Sequence, residues 1–143
     1  MEDNKNALDE INKGCTMGID AINNLIDKVD KKNFKKVLEK QISQYDKIED
    51  KINEIYNNYS SEKTLHEIGP LTKTITDYMT KMKTMRDHTD SKIAEILLQG
   101  TNMGIIEGKR IINNKNLNKE IKKLVEEFIN NQEMIVESLK EYL

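Results

Sequence analysis

Cys15 is the one thiol of the chain, and His66 and His88 are its two imidazoles, so covalent or metal chemistry would have to be assembled from few parts. A thiol becomes a nucleophile where a neighbouring cation lowers its pKa. Cys15 stands instead in an apolar helical stripe, where cysteine behaves as a small hydrophobe. Met79, Met82, Met85 and His88, each three residues from the next, are soft donors of the kind that take Cu(I). Steps of three drift around a helix, so the four do not hold one stripe, and the methionines read as flexible packing residues. There is no Gly-rich phosphate loop after a strand, no zinc spacing, and no nucleophile with a base and an orienting group. Neither catalysis nor a bound cofactor is expected.

A second set of residues is polar where the helical pattern calls for core. Gln41, Tyr45 and Gln132 fall at core-facing positions near the middle of their helices, and Cys15 and Glu107 are expected at related depth. Glu107 is the one carboxylate in step with Ile93, Leu97, Gly100, Gly104 and Ile111, whereas Asp20 sits off the strict seam. Such a group makes either a small polar pocket or a hydrogen-bond network that fixes helix register, and the network is the better-attested use. A buried carboxylate without partners is costly, so Glu107 is expected to be hydrogen-bonded in the core or paired at its edge.

The elements that must position these residues are helices. Leu8, Ile11, Cys15, Gly18, Ile22, Leu25 and Val29 follow steps of three and four, and Phe34, Leu38, Gln41, Tyr45, Ile48, Ile52, Ile55 and Tyr59 form a heptad seam. Ile121, Val125, Phe128, Gln132, Ile135, Leu139 and Tyr142 repeat it. Four main helices are predicted near residues 3–30, 33–58, 71–113 and 118–142, with Asn33 and Asn118 as N-caps and no strand pattern. The chain also repeats itself. Gly14-Cys-Thr-Met-Gly-Ile19 returns as Gly100-Thr-Asn-Met-Gly-Ile105, and Phe34-Lys-Lys-Val-Leu-Glu39 returns as Ile121-Lys-Lys-Leu-Val-Glu126. One domain over residues 1–143 is therefore expected to hold two related hairpins, 1–58 and 87–143, joined by an insert over 57–86. Within the insert Gly69-Pro70 signals a helix start. A continuous helix over 71–113 would outrun its neighbours, so it either protrudes or breaks near Asp87-His88-Thr89-Asp90, where Asp and Thr can cap a new start.

Two related hairpins with a long connection, together with the Gly-x-x-Met-Gly-Ile segments and the phrase Ile93-Ala-Glu-Ile-Leu-Leu-Gln-Gly-Thr-Asn-Met-Gly-Ile-Ile106, resemble uncharacterised ferritin-like four-helix-bundle proteins of low-GC, clostridial-type bacteria. The resemblance implies an all-α, ferritin-like bundle whose connection crosses its full length and puts the two lysine-rich turns, around Lys28–Lys36 and Lys115–Lys123, at opposite ends. It also poses a test. A di-iron site of that superfamily needs Glu-x-x-His on two helices, yet the corresponding pairs here are Glu39-x-x-Ile42, Asp46-x-x-Glu49, Glu126-x-x-Ile129 and Glu133-x-x-Val136. None contains His. Tight iron or zinc binding is not expected, and the metal-binding alternative would have to use Glu107 with Asp46, Glu49 or Glu133.

The 143 residues are 36% hydrophobic and 34% charged with a net charge of −2, which argues for an ordered helical protein and against a nucleic-acid partner. The N-terminal residues lack a basic and an apolar targeting region, no apolar run is long enough to span a bilayer, and the lone cysteine suits a reducing compartment. A cytoplasmic protein is expected. Gly14-x-x-x-Gly18 and Gly100-x-x-x-Gly104-x-x-x-Gly108 predict a close crossing of the first and third helices. Ile75, Tyr78, Met79, Met82 and Met85 need cover from the bundle flank or from a second copy, which makes them the candidate interface of a homodimer. The function expected from these observations is a non-enzymatic interaction or scaffold protein that self-associates.

Overall fold

Apolar residues at helical spacing organise the whole chain, and the computed structural model, which describes residues 2–60 and 72–143, is all-helical with no strand among the described residues. Helix α1, Glu2–Leu25, buries Leu8, Ile11, Cys15, Ile22 and Leu25. It ends in a 3-10 turn, Ile26–Lys28, followed by Val29 in extended conformation, so it is shorter than its apolar pattern suggests. Helix α2, Lys32–Tyr56, buries Phe34, Leu38, Gln41, Tyr45, Ile48, Ile52 and Tyr56. Helices α3, Lys73–Thr84, α4, Asp90–Asn114, and α5, Lys119–Lys140, follow. The Gly69-Pro70 start signal, Leu71 and His66 lie outside the described residues.

The long third helix suggested by periodicity is two helices. Asp87 Oδ1 accepts from the Thr89 amide at 2.9 Å, and the Thr89 hydroxyl accepts from the Lys92 amide at 3.3 Å, so the Asp-His-Thr-Asp stretch supplies its own turn and N-cap. Met85 is already extended, and α3 folds back beside α4 instead of continuing into it. Asn118 caps α5 by accepting from the Ile121 amide at 3.1 Å. Asn33 does not cap α2. That helix begins at Lys32 and its N-cap Lys31 makes no side-chain capping bond, while the amides of Asp30 and Lys31, just before the helix, donate to the Asp90 carboxylate at the start of α4, at 2.8 and 3.0 Å.

These bonds also fix which ends lie together. The α1–α2 turn meets the start of α4 through Asp90, and Phe34 near the start of α2 stacks on Tyr142 after α5, with ring centroids 4.3 Å apart and planes 6° from parallel. At the opposite end, Asp3 and Asn4 accept from the amides of Asn116 and Asn118 between α4 and α5, Tyr56 donates to Asp9 at 2.8 Å, and Tyr59 donates to Glu120 at 2.5 Å. The two hairpin turns are thus at opposite ends, with α1 and α5 running one way and α2 and α4 the other. All four long helices feed one core, with Leu8, Phe34, Leu38, Ile52, Ile93, Ile96, Ile121, Val125 and Leu139 fully or almost fully buried. Each such side chain contributes about 1.5–3 kcal/mol on leaving water.

Candidate functional site

Five glycines in helix interiors forfeit helix stability, and close packing has to offset the loss. The packing is not of α1 on α4 through facing glycines. A Cβ on Gly14 would stand 2.8 Å from Phe128 Cζ, one on Gly18 2.5 Å from Tyr45 Cζ, and one on Gly108 2.5 Å from Ile129 Cγ1. A Cβ on Gly100 would run into the Tyr78 hydroxyl, and one on Gly104 into the Gln132 amide nitrogen. Each glycine therefore makes room for a large side chain from α2, α3 or α5, which corrects the expected close crossing of the first and third helices.

Three of those side chains, Tyr45, Phe128 and Gln132, lie on the floor of a cleft. It has a volume of about 920 Å³, with Tyr45, Phe128, Gln132, Ile135 and Gln41 beneath, the glycine faces of α1 and α4 as walls, and Ile75 and Tyr78 of α3 along one side. On the floor the Tyr45 hydroxyl donates to Gln132 Oε1 at 2.6 Å, a bond buried between α2 and α5. Burial pushes the Tyr45 phenol well above its ordinary pKa, with the Cys15 thiol adding to the shift. Tyr78 donates to the Ile96 carbonyl at 2.9 Å, and burial raises its pKa to about 12. Thr101 donates to the Leu97 carbonyl at 2.8 Å. Gln41 is only 4% exposed, yet its Nε2 has no hydrogen-bond partner among the described residues.

The residues singled out in the sequence divide accordingly. Gln41, Tyr45, Gln132 and Cys15 are all buried, but only Tyr45 and Gln132 are hydrogen-bonded to each other. Desolvation, then the nearby Glu49 and Asp46 carboxylates, push the Cys15 thiol far up, so it stays protonated. Glu107 is not in the core. Its side chain is 54% exposed and pairs with Arg110 at 3.0 Å, because the face of α4 it shares with Gly100 and Gly104 opens onto the cleft and reaches water at the rim. Glu49 is half-buried and accepts from Thr16 at 3.0 Å, Asp46 is exposed, and Glu133 lies near Lys109 at 4.0 Å on the surface. Among the described residues no three His, Cys, Asp or Glu side chains converge as a metal would require, so Glu107, Asp46, Glu49 and Glu133 are not brought together. His88 sits in the α3–α4 connection.

The candidate interface is covered in part by the fold-back of α3. Met82 is buried, and Ile75, Tyr78, Met79 and Met85 are half-buried where α3 folds back. The break after Thr84 removes the protruding helix that called for a second copy. No helix among the described residues is long and apolar enough to cross a membrane. The small polar pocket offered as one reading of Gln41, Tyr45, Gln132, Cys15 and Glu107 corresponds to part of the cleft, which all of them but Cys15 line, while the size of the cleft was not expected. Its signal was present in five interior glycines on two helices and in Tyr45, Tyr78 and Phe128, large residues for which a glycine leaves space. No family model, curated protein or solved structure matches the chain.

Proposed function

We propose that the chain is a non-enzymatic binding protein on a ferritin-like four-helix scaffold, and that the cleft between α1 and α4 is its binding site. The observation that carries the reading is a cleft of about 920 Å³ whose floor mixes Phe128 and Ile135 with the uncharged polar side chains of Gln41, Tyr45 and Gln132. Small-molecule sites have this size, a mostly apolar lining and a few polar groups that orient the ligand. The scaffold reading is supported by two related hairpins whose turns lie at opposite ends, the arrangement a full-length crossover produces. Turnover draws no support from Cys15 or Tyr45, since both hold their protons more tightly than the free side chains do.

The test uses N-phenyl-1-naphthylamine, a neutral apolar dye whose fluorescence rises on leaving water. It should bind the wild-type protein saturably, and Met17→Trp or Met103→Trp, which put a larger side chain on a half-buried wall position, should weaken binding at least about tenfold without loss of helix content. Absence of saturable binding to the wild type, or affinity unchanged in both variants, would overturn the assignment of function to the cleft.

A further inference from the structure

We infer that Gln132 is the recognition residue of the cleft: its Nε2, beside the Gly104 wall, donates to the carbonyl oxygen of an uncharged, largely apolar ligand. This rests on the cleft being the binding site. Burial keeps the proton on the Tyr45 hydroxyl, which needs an acceptor and finds one in Gln132 Oε1 at 2.6 Å. That bond fixes which way the amide points. Oε1 is spent on Tyr45, and Nε2 is turned toward Gly104, where an added Cβ would run into it. Gln132 is 2% exposed and lines the cleft, and its Nε2 has no acceptor among the described residues. Two other amide nitrogens lack one, Gln41 Nε2 and Asn131 Nδ2, but both are sealed beneath the chain's own atoms, where no ligand reaches them. Gln132 Nε2 is not sealed. The Thr101 and Tyr78 hydroxyls, which also line the cleft, already donate to the Leu97 and Ile96 carbonyls. A donor taken out of water without an acceptor is costly, so a ligand that brings the acceptor is favoured by the bond it completes.

The surroundings of Gln132 set the rest of the ligand. Tyr45 lies against Gly18 of α1 and Gln132 against Gly104 of α4, so the bonded pair spans the floor from one wall to the other. Phe128, one turn before Gln132 on α5, also reaches both walls: its Cζ is 2.8 Å from a Cβ on Gly14 and 3.6 Å from one on Gly104. An aromatic ring beside the donor takes the apolar body of the ligand. The charged residues that line the cleft, Asp9, Glu10, Lys13, Glu107, Arg110 and Lys115, belong to α1 or to α4 and the residue after it, and none to the floor helices. Arg110 is moreover paired with Glu107 at 3.0 Å. A carboxylate against Gln132 would give up its hydration for one neutral donor, which is costly, whereas a neutral carbonyl loses little and gains a hydrogen bond.

The experiment compares two neutral naphthalene dyes, prodan, which carries a ketone, and N-phenyl-1-naphthylamine, which has no carbonyl. Tyr45→Phe keeps the Gln132 donor, and Tyr45→Phe with Gln132→Met removes both partners of the buried bond, so no group is left unpaired by the second change. Prodan should bind the double variant at least about fivefold more weakly than Tyr45→Phe, with its emission shifted to the blue, while N-phenyl-1-naphthylamine stays within about twofold. In the wild type, isotope-edited infrared spectra should place the carbonyl stretch of bound prodan below its position in an apolar solvent. Decanamide should displace prodan at a concentration at least about tenfold below that of decanoate at pH 8, where the acid is ionised. A carbonyl stretch at the apolar-solvent position, or equal weakening of the two dyes, overturns the assignment to Gln132 while leaving the cleft as a site, and the infrared arm holds whether or not the double variant folds. Equal displacement by decanoate overturns the uncharged class. Failure of both dyes to bind the wild type overturns the cleft reading and this one with it.

Discussion

Glu49 stands half-buried on α2 with Thr16 donating to it, and its carboxyl titrates above the ordinary glutamate value. Desolvation is the leading cause, Thr16 opposes it, and Asp46, Asp50 and Asp20 add to the rise. A carboxyl whose folded-state pKa is raised contributes stability that is complete below its unfolded pKa and is lost as pH rises through the folded value. Glu49→Gln, which keeps an oxygen for Thr16 and removes the charge, is therefore expected to be more stable than wild type at pH 7. The gain should be small, up to roughly 0.5 kcal/mol, because much of the group reaches solvent. It should vanish below about pH 4, where the wild-type carboxyl is also neutral. Urea titrations at the two pH values check both points, and a gain that persists in acid would show that charge is not its cause. Residue identity and helical step were enough to place Gln41, Tyr45, Gln132 and Cys15 inside the molecule. They misplaced Glu107 because a helical step reports which residues share a face, and that face of α4 looks into an open cleft instead of a closed core.

Helix propensity and packing make opposite demands at Gly18. Replacing an interior glycine with alanine stabilises an isolated helix by up to about 1 kcal/mol. Here the new Cβ would lie 2.5 Å from Tyr45 Cζ, and that ring is 2% exposed and tied to Gln132, so it has little room to yield. Overpacking of this kind costs about 1–3 kcal/mol, and a strained Tyr45–Gln132 bond adds to it. Gly18→Ala is expected to be destabilising by about 1–2 kcal/mol net, read by chemical denaturation, and a stabilised variant would show that the ring moves freely. The helices themselves were legible as elements because their apolar residues recur every three or four positions. Their partners were not. The glycines advertised close approach but not by what, since a missing Cβ is equally useful to a helix backbone and to an aromatic ring. Asn33 likewise has the chemistry of a cap, yet it lies inside α2, and the amides of Asp30 and Lys31 that lead into the helix are taken by Asp90, 60 and 59 residues away, a pairing no local pattern contains.

At the scale of the molecule, the opposed hairpin turns make a direct distance prediction. Helices of this length span about 36 Å at 1.5 Å per residue. Spin labels on Lys28→Cys and Asn113→Cys, both exposed, should be about 35–40 Å apart, whereas turns sharing one end would bring them to less than about 20 Å. Cys15 does not compete for the label, since it is buried and its thiol is held protonated. The Asp90 contact has a consequence for the order in which the chain can be completed. During synthesis the first hairpin leaves the ribosome with the Asp30 and Lys31 amides bonded only to water, and it remains so until residue 90 has been made and has reached the other side of the molecule. The ends of the first hairpin are finished by residues of the second: Asp90 at one end, Asn118 and Glu120 at the other. A nascent chain stopped after the first hairpin therefore has unfinished ends, because the groups that complete them come from later in the chain.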